Sequence, residues 1–103
     1  MTSCVVTIVN TLGLHARAAA RFVHVASGFA SAVRVARGGR EMDGKSIMGL
    51  LLLSASQGTT ITVSTDGPDE TAAMSALCAL VERGFDEASL DSPEKVKLAQ
   101  DKP

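Results

Sequence analysis

The chain has 103 residues and a formal net charge of -1, which leaves room for one domain built on one hydrophobic core. It lacks the basic surplus with which general nucleic-acid and anionic-membrane binders hold their ligands, so proteins or small molecules are the expected partners. The three aromatic residues are all Phe, and the two cysteines have neither CxxC spacing nor a histidine cluster beside them, which argues against base-stacking platforms and zinc.

Only Met1, Thr2 and Ser3 precede Cys4, and the apolar run to Val9 is too short for a signal-peptide core or a membrane span. The expected location is therefore the cytoplasm. Cys4 to Val9 is dense in β-branched residues and closes on Asn10-Thr-Leu-Gly13, which predicts a strand and then a loop. From Ala16 to Ser27, Ala19/Val23 and Ala18/Phe22/Ala26 recur at helical spacing until Gly28. Val33 and Val35 flank Arg34, and Arg37-Gly-Gly-Arg40 turns the chain back into a short strand around Glu41-Met42.

The uninterrupted apolar run Ile47 to Leu53 suits a buried strand or a helix by period alone. Ser46 as N-cap, with leucine and methionine following, favours a short helix. Ile61 and Val63 alternate with Thr60, Thr62 and Ser64 as a half-buried strand before Asp66-Gly67. Pro68-Asp69-Glu70 opens a long helix with Ala73, Leu77, Leu80 and Val81 on one face, ending near Gly84. Cys4 and Cys78 each lie in an apolar stretch and read as free buried thiols. After Phe85 the apolar pattern gives way to charged and polar residues, so the folded domain is expected at 1–88 and a polar, disordered tail at 89–103. The order β-α-β-β-α-β-α, with polar residues alternating along the strands, gives an α+β class: an antiparallel sheet covered on one face by helices.

Gly13-Leu-His-Ala-Arg17 places a histidine immediately before a predicted helix. The first N–H groups of a helix have no intrahelical partner, and its dipole adds partial positive charge, so this position favours an anion and disfavours a cation. A neutral imidazole there keeps a nucleophilic ring nitrogen. If His15 is phosphorylated, the N–H groups of Ala16 and Arg17 and the planar Arg17 guanidinium can hold the added charge. Gly13 supplies backbone freedom for the turn that leaves His15 open. On His15 alone, a histidine that merely caps a helix is the plainer interpretation.

Gly13-Leu-His-Ala-Arg17, with Met42-Asp-Gly-Lys-Ser-Ile-Met-Gly-Leu50 downstream, resembles the HPr phosphocarrier family of the bacterial sugar phosphotransferase system, over roughly residues 4–85. The resemblance implies an open-faced β-sandwich with four antiparallel strands and three helices. It implies a relay in which phosphoenolpyruvate phosphorylates enzyme I. Enzyme I then passes the phosphoryl group to His15 as a pros-phosphohistidine, and an enzyme IIA domain receives it. It implies phosphate stabilisation by Arg17, a regulatory phosphorylation of Ser46 by an HPr kinase/phosphorylase, and a monomer that needs no metal or cofactor. The helix after Ser46 is apolar nearly all round, so some of it must face solvent. Ile47, Met48 and Leu51 are the expected docking residues, by resemblance as well as spacing.

Ala18 stands where the family often has proline, and Ala20, His24 and Ser27 stand where some sugar-transport members carry lysines, which thins the attraction to acidic partners. A regulatory, nitrogen-related branch is the alternative within the class. A non-covalent effector-binding module is the alternative outside it, and it leaves the Gly13 to Arg17 arrangement without a purpose. His24 reads as a surface residue.

Overall fold

A computed structural model describes residues 1–86; the expected tail, 89–103, and the last two residues of the expected domain lie outside the described residues. Four strands, β1 (Thr2–Thr7), β2 (Ala32–Arg37), β3 (Arg40–Asp43) and β4 (Thr60–Asp66), form one sheet in the order β1-β4-β2-β3. Every pairing is antiparallel. Helices α1 (Ala16–Ala26), α2 (Ile47–Leu52) and α3 (Glu70–Glu82) pack on the sheet, and a short 3-10 turn, Gly84–Asp86, follows α3. This is the helix-covered antiparallel sheet that the element order implies, and the open-faced α+β sandwich that the family resemblance implies.

Alternation along the strands sends Val6, Ile8, Val33, Val35, Ile61 and Val63 to the covered face, where all are buried. Against them α1 sets Ala18, Ala19, Phe22 and Ala26, and α3 sets Ala73, Met74, Leu77, Leu80 and Val81. The first strand lies two residues earlier than the apolar run suggests. Its ladder ends at Thr7 opposite Thr60, and beyond it Ile8 remains tied, donating to the Thr59 carbonyl and accepting from Gly58. Burial of Ile8 continues the pattern that the ladder has left.

Two devices orient the helices. The last carbonyls of α2, at Leu52 and Leu53, accept from the guanidinium groups of Arg40 and Arg37 at 2.8 and 3.0 Å, so the β2–β3 hairpin caps that helix with positive charge. At the start of α3, Asp69 turns its carboxylate away from its own helix. It accepts from the N–H groups of Ala30 and Ser31, both at 2.9 Å, and from the Ser31 hydroxyl at 2.5 Å. Glu70 beside it accepts from the Gly67 N–H, the Thr2 hydroxyl and the terminal amino group of Met1. Acidic residues at this terminus therefore fasten α3 to β1 and to the entry of β2, beyond any effect on the helix dipole.

Past α3, Gly84, Phe85 and Asp86 are all left-handed, with φ of 69°, 58° and 64°. Two of these are not glycine and carry strain of order 1 kcal/mol each. Complete burial of Phe85 and the pairing of Asp86 with Arg83 at 2.8 Å offset it.

Two outcomes are expected. Leu77→Ala removes a fully buried side chain and lowers the unfolding free energy by about 3 kcal/mol in urea titrations. The Ser31 hydroxyl, and then the Ala30 and Ser31 amides, hold the Asp69 carboxyl below the usual aspartate range. Its contribution is thus complete above the ordinary value near about 4 and is lost as pH falls through the depressed one. Asp69→Asn should accordingly flatten the acid limb of a stability-against-pH curve.

Candidate functional site

The loop between β1 and α1 is held from within and from across the fold. The Asn10 side-chain amide donates to the Gly13 carbonyl at 2.7 Å, and the Gly13 N–H returns to the Asn10 carbonyl at 3.2 Å. Gly13 has φ +68°, and a Cβ there would lie 2.6 Å from the Ala55 carbonyl oxygen and 2.8 Å from the Ser56 Cα. Only glycine fits this conformation and this approach. Leu14 then buries its side chain and donates its N–H to Ala55 at 2.8 Å. The next residue, His15, is thereby delivered to the start of α1.

His15 is the N-cap of α1, with extended backbone at φ -86° and ψ -178°, and its carbonyl accepts the first helical hydrogen bond from Ala19 at 2.8 Å. Its Nδ1 accepts from the Arg17 N–H at 3.3 Å. An accepting Nδ1 carries the lone pair and places the ring proton on Nε2. The contact is at the long end of the N–H range, so it aims the ring more than it binds it. Capping and nucleophilic readiness are therefore one arrangement: the nitrogen that closes the helix is the one that presents an electron pair beside the first-turn amides. Ala16 and Arg17 are exposed and His15 is half-buried, so a second protein can reach the pair.

The second motif lies on α2. Ser46 is its N-cap, its hydroxyl accepting from the Gly49 N–H at 3.0 Å. Ile47 and Met48 are exposed, at 42% and 65%, while Leu51 is half-buried against the core. Leu52 and Leu12, at 50% and 61% exposed, were not singled out by sequence reasoning. Their exposure follows from which side of α2 meets the sheet and from the pinned turn, neither of which an unbroken apolar run reveals. Asn10 and Ala55 were missed as well, since one acts through a side-chain bond to the Gly13 carbonyl and the other through its own carbonyl, contacts that only the folded turn reveals. His24 is exposed in the last turn of α1, where the dipole favours a basic group. Among the described residues no group of three or more His, Cys, Asp or Glu gathers to hold a metal ion, and no helix is long and apolar enough to cross a membrane.

A family model described as "PTS HPr component phosphorylation site" matches residues 2–83, which takes in both motifs. The chain belongs to the HPr phosphocarrier family. It is 53% identical over 81 residues to the phosphocarrier protein HPr of Cupriavidus necator, covering 79% of this chain and 91% of that one. It is 46% identical over 84 residues to the phosphocarrier protein NPr of Shewanella violacea, covering 82% and 92%. An HPr crystal structure from Thermoanaerobacter tengcongensis superposes with a TM-score of 0.81 at 42% identity, over 84% of this chain and 97% of that one. The HPr fold thus supplies the four-stranded sheet and three helices that carry the His15 loop.

Gly13→Ala tests what holds that loop. It should destabilise the protein by about 2 kcal/mol in chemical denaturation and shift the His15 ring resonances, because Ala55 and Ser56 must move.

Proposed function

We propose that the chain carries a phosphoryl group on His15 Nδ1, receiving it from phosphorylated enzyme I, with phosphoenolpyruvate as the ultimate donor, and passing it to an enzyme IIA domain. The supporting observation is the Nδ1 lone pair aimed along the first turn of α1, 3.3 Å from the Arg17 nitrogen. In the transfer, Nδ1 attacks phosphorus as the bond to the donor breaks, and the proton stays on Nε2. The Arg17 N–H, released from the ring nitrogen, and that of Ala16 then face phosphoryl oxygens, and the exposed Arg17 guanidinium offers its planar fork to the same group. The product is held without being buried, so the next acceptor can take it. The chain acts as a covalent relay with no turnover of its own, as a monomer in the cytoplasm.

Ile47 and Met48, with Leu51 beneath them, form the surface that partners meet in this reading. Ser46 is its regulatory site. A phosphate added there by an HPr kinase/phosphorylase would sit at the start of α2 and place negative charge beside exposed apolar side chains, opposing acidic partners. A nitrogen-related acceptor is the second reading, supported by the likeness to NPr and by the exposed, uncharged Ala20 on α1 and Ser27 at its C-cap.

Incubation with enzyme I and phosphoenolpyruvate should give one acid-labile phosphoryl adduct by mass spectrometry, absent in His15→Ala. No adduct on the unaltered chain, with a control phosphocarrier labelled in parallel, would refute the relay. Arg17→Ala should slow transfer roughly 10- to 100-fold, and Arg17→Lys should restore part of the rate. Presenting sugar-type and nitrogen-type enzyme IIA domains to the phosphorylated chain separates the two branches.

A further inference from the structure

Away from His15, the hairpin of β2 and β3 sets two arginines against each other. Arg37 and Arg40 are directly opposite in the ladder, with only Gly38 and Gly39 between them, so both side chains leave on the same face. Alternation puts Arg37 on the side of Val33 and Val35, the side that carries α2, and sends Glu41 to the other, where it lines a separate cleft with Arg34. Like charges placed opposite each other in a sheet repel, and among the described residues neither guanidinium pairs with a carboxylate. Instead each uses one N–H to hold a carbonyl at the end of α2, Arg37 that of Leu53 at 3.0 Å and Arg40 that of Leu52 at 2.8 Å. A helix end offers at most about half an elementary charge, so most of the two positive charges stays unmatched. The other donors of each fork are left for a ligand.

Both arginines line a cleft of about 770 Å³, within the size range of small-molecule sites, whose far wall is Leu53, Ser54, Thr59 and Thr60. Among the described residues no acidic side chain lines it. Gly38 and Gly39 stand at its entrance, where a Cβ on either would meet nothing within 4 Å, so the way in is open. Ser54 has φ +51° just past the C-cap of α2, the left-handed place that glycine usually takes. A serine there bears backbone strain and brings a hydroxyl to the wall of the cleft. We propose that this cleft binds a small, hydroxyl-bearing phosphate monoester, its phosphate clamped between the Arg37 and Arg40 guanidinium groups and its hydroxyls facing Ser54 and Thr60. The planar forks match phosphate oxygens in pairs, and a phosphate dianion offsets two like charges that the hairpin otherwise forces together. Thr59 shapes the wall, its hydroxyl already engaged with that of Ser56 at 3.3 Å. Neither His15 nor Arg17 lines the cleft, so this site is distinct from the one at the start of α1.

The test follows the backbone amide and arginine Nε–H signals of the isotope-labelled full chain by NMR, at fixed ionic strength, as glycerol phosphate, inorganic phosphate or glycerol is added. Glycerol phosphate should give saturable shifts at Arg37, Gly38, Gly39, Arg40 and Ser54, with a Kd of about 1 mM or below. Inorganic phosphate should move the same signals with weaker affinity, and glycerol should leave them in place. Arg40→Gln, which keeps an N–H for the Leu52 carbonyl, should weaken binding roughly 10-fold, and Arg40→Lys, which keeps the charge without the fork, should fall between. Unchanged α1 and α3 signals in both variants show that the fold is intact. Shifts that climb without saturating, shifts that gather at Ala16 and Arg17 instead, or the same Kd in the variants as in the unaltered chain would overturn the proposal.

Discussion

At Gly13 the backbone of one loop touches the backbone of another so closely that no side chain fits between them. That contact, with the hydrogen bond from Leu14 to Ala55 beside it, sets the entry angle of α1. A helix that began a residue earlier or later would offer its unpaired amides to a different side chain. Here it offers them to His15, and an imidazole with one accepting nitrogen takes the place that Ser or Asp fills at most helix starts. The candidate chemistry depends on this placement, because an imidazole in open solvent would have no anion-favouring field against it.

The rest of the fold keeps that loop in place. Ala55 is positioned because Leu53 and Ala55 are buried and because the hairpin arginines hold the end of α2. Ile8, just beyond β1, is bonded to Thr59 and Gly58 and starts the turn from the other side. Asn10, itself buried, ties the turn to the Gly13 carbonyl. The site therefore stands on a rigid base while its own atoms remain open, which suits the proposed phosphoryl relay.

Both candidate phosphorylation positions are helix N-caps, yet they differ. At His15 the capping atom is the proposed nucleophile, so phosphorylation there would replace a long, weak cap with phosphate oxygens at the same amides. At Ser46 the hydroxyl makes a shorter cap to Gly49 on a helix of only six residues.

What the sequence determined by itself is what local rules govern. Alternation in Ile61 to Val63, helical spacing in Ala73 to Val81, the Gly-Gly turn and the Ser46 cap each rest on the period or backbone preference of a few residues, and the elements fall where those preferences put them. The place of His15 and Arg17 at a helix start was legible for the same reason, since a helix start is a local event, and the resemblance of the two motifs supplied the proposed chemistry. Tertiary structure alone decided the rest. An unbroken apolar run cannot say that Leu51 leans on the core while Leu52 faces solvent, because that depends on where the sheet lies. Nothing local marks Ala55 as the stop against which Gly13 rests, or turns Asp69 toward Ser31. Each is a contact between segments far apart in the chain, and contacts of that kind exist only once the sheet has closed and the helices have settled on it.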